Sequence, residues 1–153
     1  MQAYLRSGLL GGIDGVITSL AIVAGASFLS TSTEVVAVVG TSSLLADGVS
    51  MGISEYLSTR SEGRKASVSL SMGLTCFAAF VLFGSTPLVT YVAGDSALVG
   101  ASSVSVLTLL LLGSIRAVIV RERVLCGILE VVALGTAAGG VAFGAASLAS
   151  EWS

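Results

Sequence analysis

Four acidic side chains and one methionine lie inside or at the ends of long apolar stretches of this sequence. They are Asp14, Asp47, Met51, Glu55 and Glu130. A carboxylate in hydrocarbon costs ~2.5–3.5 kcal/mol on insertion scales, so each acid needs a partner, a cavity or a cation. Carboxylate oxygens together with a thioether sulfur suit a divalent first-row cation such as Fe²⁺ or Mn²⁺. These residue types therefore indicate a pathway for a metal ion through a membrane.

The spacing of these side chains indicates a shared site. Asp47, Met51 and Glu55 are four residues apart, so on a helix they follow one slowly drifting face. Helix rise places Asp14 ~8 Å, Met51 ~9 Å and Glu130 ~9 Å from the same end of their spans. Asp47 lies ~15 Å deep, and Glu55 lies near the mouth. Four of these side chains lie on the first two spans, and we predict that they bind metal: Asp14, Asp47, Met51 and Glu55.

The same carboxyl groups can also carry protons. Desolvation favours the protonated form of a carboxyl group, whereas a bound cation favours the ionised form. A site of this kind exchanges protons for metal, and we predict that Asp14 and Glu130 are the proton-coupled groups. Glu130 can alternatively stabilise the fifth helix. Two other functions stay open: a scaffold whose acids only hold helices together, and a proton-coupled transporter of an organic solute.

Composition shows that most of the chain is solvated by lipid. The chain has 153 residues, of which 54% are hydrophobic and 10% are charged, against roughly 25% charged residues in a globular domain. Its net charge of −2 offers no basic surface for nucleic acid. Histidine is absent, which excludes imidazole ligands. We therefore expect a membrane protein with the lipid bilayer as its surroundings.

The apolar runs predict an all-α polytopic protein with five transmembrane helices in a single domain, residues 1–153. The predicted spans are residues 9–29, 35–57, 66–92, 97–120 and 124–149. Each approaches or exceeds the ~20 residues that cross a bilayer. Pro87 is predicted to kink or end the third helix. A signal peptide is the alternative for the first run, but Asp14 interrupts its apolar region.

Charge sorts by the side of the membrane. One set of span ends carries nearly all of the basic residues, namely Arg6, Arg60, Arg64, Lys65, Arg121 and Arg123. The other set carries only the acids Glu34, Asp95 and Glu151. The positive-inside rule then puts the N-terminus in the cytosol and the C-terminus on the far side. Arg116, inside the end of the fourth span, is expected to reach the cytosolic interface or to pair with a buried acid.

Small residues indicate close helix packing. Five pairs of glycines are separated by three residues, and two of these pairs, Gly8–Gly12 and Gly11–Gly15, together bracket Asp14. Such steps let backbones approach closely, either within one chain or between two copies of it. The sequence leaves both possibilities open. Met72, Cys76 and Cys126 are interpreted as ordinary packing residues.

Two segments resemble the vacuolar iron transporter family. They are GGIDGVITSLAIVAG, residues 11–25, and LLADGVSMGISEYLSTRSE, residues 44–62. The first has an Asp-Gly pair opening the first span, and the second carries an Ala-Asp-Gly-x-Ser-Met signature followed by Glu-Tyr-Leu. The resemblance extends over nearly the whole chain, including the number of spans.

The resemblance implies a homodimer that moves Fe²⁺, and often Mn²⁺, out of the cytosol in exchange for protons. It implies a pathway at the dimer interface, lined by the first two helices. Asp14 is similar to the family's proton- and metal-coupled acid, and Met51 to its thioether ligand, while Asp47 and Glu55 match acids in the second helix. We expect a transporter and not an enzyme, with no cofactor. Its location would be a vacuolar or other endomembrane, or the plasma membrane of a prokaryote.

Two departures from the family pattern affect this expectation. Many members insert a helical, metal-gathering cytosolic domain between spans two and three, and the basic segment 58–65 leaves no room for one. Some members also place a glutamate two turns before the methionine. Ser43 stands at that position here, and Asp47 is expected to take over the role.

Overall fold

The computed structural model describes residues 2–28, 31–94 and 98–150, and these form five helices. In chain order they are α1 (Gln2–Phe28), α2 (Thr33–Ser61), α3 (Ala66–Ala93), α4 (Leu98–Val120) and α5 (Val124–Ser150). All five are long and apolar enough to cross a membrane, and no strand occurs among the described residues. The predicted five-span, all-α membrane architecture is confirmed. Asp95 and Glu151, assigned above to the far side, lie outside the described residues.

The first two helices are longer than the predicted spans. α1 begins at Gln2, seven residues before the predicted start, and α2 continues to Ser61, four residues past its predicted end. The hydropathy pattern could not include these turns because they carry Arg6 and Arg60. The remaining helix ends differ from prediction by at most two residues. The additional turns lengthen α1 and α2 on the side that carries the arginines, which we call the basic end.

Pro87 does not end α3, so that part of the prediction is wrong. The helix continues through this buried proline to Ala93. A proline inside a helix leaves the carbonyl four residues earlier without its backbone donor. Here that carbonyl belongs to Phe83, and the Thr86 hydroxyl donates to it at 2.7 Å. A neighbouring side chain thus replaces the lost hydrogen bond, as membrane helices commonly allow.

α3 packs between α1 and α2 and makes the most extensive contact with α1. The glycines of α1 make this contact possible. A Cβ at Gly11 would lie 2.1 Å from the Cys76 carbonyl oxygen, and one at Gly15 would lie 2.3 Å from that of Phe80. Backbone touches backbone at both points, so only glycine fits. Gly11 and Gly15 therefore serve helix packing within one chain.

α2 meets α3 through a second glycine contact. The glycines near the end of α5, in contrast, contact no other helix among the described residues. A Cβ at Gly73 would lie 2.5 Å from the Gly52 carbonyl oxygen. A Cβ added to Gly139, Gly140 or Gly144 would have no neighbouring atom within 4 Å among the described residues. α5 contacts α1 and α4, where Val131 joins Val16 and Leu109 in a buried cluster. α1 therefore contacts all four other helices.

Candidate functional site

A cavity of about 940 Å³ lies at the basic end of the bundle, and α1 supplies more of its lining than any other helix. We call it the α1 cavity. Its wall includes two of the predicted site residues, Asp14 from α1 and Glu55 from α2. Arg6, Glu62 and Arg64 also line it, on elements that end or turn at the basic end. A cation approaching from that end would therefore reach a space with carboxylates in its wall.

Asp14 is positioned by the close contact between α1 and α3. Gly11 and Gly15, on either side of it along the helix, lie directly against the α3 backbone. Asp14 itself is half-buried and faces the cavity. Among the described residues its carboxylate accepts no hydrogen bond, but it lies close enough to Asp47 for the two charges to repel one another. Two like charges placed together in a membrane favour a bound cation.

Glu55 is held by a residue that the sequence analysis did not single out. The Ser7 hydroxyl, fully buried in α1, donates a hydrogen bond to Glu55 Oε1 at 2.5 Å. This bond joins the start of α1 to the end of α2. A signal for Ser7 did exist, because it lies seven residues before Asp14 and so falls on the same face of α1. Glu55 thus lines the cavity in a fixed orientation.

Asp47 and Met51 lie outside the wall of the α1 cavity. Met51 is half-buried, and Asp47 is exposed on the surface of α2. Ser50 and Ser54, one and two turns further along, are also exposed. Together Asp47, Ser50 and Ser54 form a polar stripe, which we call the α2 stripe. A single chain therefore leaves an acid and two hydroxyls on a face that a bilayer would otherwise cover.

Glu130 is paired with a cation. Its carboxylate accepts two hydrogen bonds from the Arg116 guanidinium, at 2.7 and 3.2 Å, and this ion pair joins α5 to α4. Arg116 therefore pairs with an acid, as one alternative predicted, but that acid is exposed and not buried. Arg116 lines the α1 cavity, whereas Glu130 does not. A proton-carrying role for Glu130 stays a prediction.

The predicted residues do not meet in one place within a single chain. Among the described residues, no three Asp, Glu or Cys side chains cluster closely enough to hold a metal ion. Asp14 and Glu55 share the wall of the α1 cavity, whereas Asp47, Met51 and Glu130 lie outside it. Met72, interpreted from the sequence as packing, is buried and lines the cavity. The arrangement provides a cavity with acids but not a complete coordination sphere.

Comparison with known proteins shows what the chain is similar to. The model of the VIT family matches it over residues 5–68 and 63–147. A "Vacuolar iron transporter" of Toxoplasma gondii is 44% identical over 59 residues, which cover 39% of this chain and 20% of that protein. A protein of the same name from Plasmodium berghei is 36% identical over 59 residues, covering 39% and 22%. The aligned part spans about a fifth of the length of these relatives.

Proposed function

The chain belongs to the VIT family, and we propose that it moves Fe²⁺, with Mn²⁺ as a second substrate, across a membrane in exchange for protons. The family match over most of the chain and the five apolar helices support transport. The name that both relatives carry supports iron as the metal and an endomembrane as the location. In a prokaryote the corresponding membrane would be the plasma membrane.

The observation that carries the proposal is the state of Asp14 and Asp47. Of the four acids singled out, Glu55 and Glu130 have donors that satisfy them, Ser7 and Arg116. Asp14 and Asp47 accept no hydrogen bond from the described residues, and Asp14 lines the α1 cavity. An unpaired acid in a membrane is expensive, so these two carboxylates need protons or a cation. Alternating between those two states is the physical basis of metal–proton antiport.

We propose that a second copy of the chain completes the site. The α2 stripe is exposed, and an acid facing acyl chains at mid-membrane costs several kcal/mol. A two-fold contact presents the same surface on both copies. Packing α2 against its counterpart would cover Asp47 and bring Met51 of both copies toward one axis. The set would then contain enough oxygen and sulfur ligands for a first-row divalent cation.

The direction of transport follows from the charge pattern. The basic end faces the cytosol by the positive-inside rule, which puts the N-terminus there and the C-terminus on the far side. The α1 cavity, which Arg6 and Arg64 line, is then the cytosolic access to Asp14. Metal would leave on the opposite side, into a vacuole-like compartment or out of the cell, and protons would return.

Flux of Fe²⁺ into proteoliposomes with an acidic interior tests this function. Replacing Asp14 with asparagine keeps the shape of the side chain and removes its charge. We expect Asp14→Asn to reduce proton-driven Fe²⁺ flux at least tenfold. The matched control is Glu122→Gln, the same chemical change in the exposed turn between α4 and α5, which should transport as the unmodified protein does. Equal flux in both variants would remove Asp14 from the mechanism.

A membrane scaffold without transport is the second candidate, and a specific observation favours it. Two of the acids, Glu55 and Glu130, do join helices through Ser7 and Arg116. If holding helices together were the whole role, Asp14→Asn would change thermal stability or assembly, and no metal flux would exist to lose. The same proteoliposomes therefore separate the two functions, because only a transporter shows Fe²⁺ accumulation that depends on the imposed pH gradient.

A further inference from the structure

We propose that Glu130 is a positioning residue for metal loading, because it holds the Arg116 guanidinium away from the acids of the α1 cavity. This inference rests on the proposed function and adds a role to a pair that the transport scheme does not use. The pair is well formed, with two hydrogen bonds of 2.7 and 3.2 Å. It lies next to the cavity, since Arg116 is in the wall and Glu130 binds it from outside.

The charges of the cavity wall show why the pair matters. The wall carries three acids and three arginines, namely Asp14, Glu55, Glu62, Arg6, Arg64 and Arg116. Arg64 is bound to Glu62 at 3.0 Å, and Arg116 is bound to Glu130 outside the wall. Arg6 is then the one arginine of the wall that has no acid bound to it and can oppose Asp14 and Glu55. The cavity stays net negative only while Glu130 occupies Arg116.

The geometry places Arg116 between the mouth and Asp14. A Cβ on Gly12 would lie 3.3 Å from Leu112, so these two residues are at one level of α1 and α4. Asp14 lies two residues deeper than Gly12, and Arg116 four residues nearer the basic end than Leu112. At 1.5 Å per residue their backbones are ~9 Å apart along the bundle. This offset along the bundle axis is within the combined length of extended arginine and aspartate side chains.

A released Arg116 would compete with the metal. Arginine stays charged at any pH a protein meets, and its planar fork binds carboxylates with two hydrogen bonds. Turned inward, it would pair with Asp14 or Glu55 and would repel a divalent cation approaching from the mouth. Glu130 is 50% exposed and Arg116 29% exposed at their side chains, so the pair is accessible enough to rearrange when one partner is altered.

Two single variants lose the same ion pair but differ in the charge that they leave behind. Glu130→Gln leaves a free guanidinium beside the cavity, whereas Arg116→Gln leaves none. We expect Glu130→Gln to raise the KM for Fe²⁺ at least tenfold, equivalent to about 1.4 kcal/mol, with kcat changed much less. We expect Arg116→Gln to keep KM within about threefold of the unmodified protein, and the double variant to have a lower KM than Glu130→Gln. Glu130→Asp, which can still bind Arg116, should also stay close to it.

The outcomes distinguish a positioning role of Glu130 from a purely structural one, in which the ion pair only holds α4 against α5. Both single variants should lose a similar amount of thermal stability, so a stapling role predicts equal transport defects in both. Equal defects, or a double variant as impaired as Glu130→Gln, would overturn the inference. If the unmodified protein transports Fe²⁺ and Glu130→Gln has an unchanged KM, the inference about Glu130 is overturned but the proposed function is not. Absence of flux in the unmodified protein would instead overturn the proposed function on which it rests.

Discussion

Replacing Gly15 with alanine tests whether the close approach of α1 to α3 sets the position of Asp14. The added Cβ would lie 2.3 Å from the Phe80 carbonyl oxygen, whereas ordinary contact begins at 3.4 Å. The obstacle is backbone, with the Phe80 carbonyl carbon and Cα also at 3.0 and 3.1 Å. No rotamer change can relieve it. The two helices must therefore separate by about 1 Å at the level of Asp14.

This displacement has two consequences of known scale. Overpacking a well-filled interface costs ~1–3 kcal/mol, which would lower the thermal stability of the purified protein. A shift of ~1 Å in a group that must meet its partner can reduce a rate by up to about a hundredfold. Asp14 is the residue adjacent to the clash. We therefore expect Gly15→Ala to reduce Fe²⁺ flux at least tenfold while the protein still folds.

The assay combines proteoliposome flux with thermal unfolding in detergent. Gly139→Ala is the matched control, because a Cβ there has no neighbour within 4 Å among the described residues. Gly8→Ala is an intermediate case on α1 itself, with its nearest contact at an ordinary 3.5 Å. Flux should fall for Gly15→Ala and be retained in both others. If all three variants transported equally, the close helix approach would not be what positions Asp14.

Two further predictions concern the ligands and the dimer. Met51→Leu should raise the KM for Fe²⁺ severalfold in flux assays, because it removes a thioether ligand. Met72→Leu, a volume-conserving change in a buried wall residue, should alter flux little. A larger defect in Met72→Leu than in Met51→Leu would place the thioether ligand in the α1 cavity. In protein whose native cysteines are replaced, Ser50→Cys should form disulfide-linked dimers in membranes, as judged by non-reducing electrophoresis. Leu107→Cys, 65% exposed on α4, should stay monomeric, and equal cross-linking at both positions would contradict a contact through the α2 stripe.

The fold was largely readable from hydropathy, and its exceptions have physical causes. Apolar runs report where lipid can surround a helix, but a helix can continue past the hydrocarbon, as α1 does through Arg6. Proline predicts a break only when its orphaned carbonyl stays unsatisfied. The Thr86 hydroxyl satisfies the Phe83 carbonyl, and a hydropathy pattern contains no information about that hydrogen bond.

The residue types of the candidate site could be read from the sequence, but the direction in which each side chain points could not. Counting residues along each helix estimates only a depth for Asp14 and Met51, since helix rise is fixed. Which side of a helix faces a cavity depends on how the helices rotate against each other, and single-sequence spacing does not set that rotation. Here the glycine contacts of α1 and α2 with α3 set it. They turn Asp14 into the cavity and leave Asp47 on the outer surface of α2.

The four acids divide into two that accept hydrogen bonds from another helix and two that do not. Acids that serve only to hold a fold together are expected to have donors, because an unsatisfied carboxylate in a membrane is costly. Glu55 and Glu130 meet that expectation, and each binds a residue on another helix. Among the described residues Asp14 and Asp47 do not, although every helix carries Ser or Thr. This division supports the proposal that Asp14 and Asp47 receive a cation, and the exposure of Asp47 is the reason why we propose that a second chain helps to enclose it.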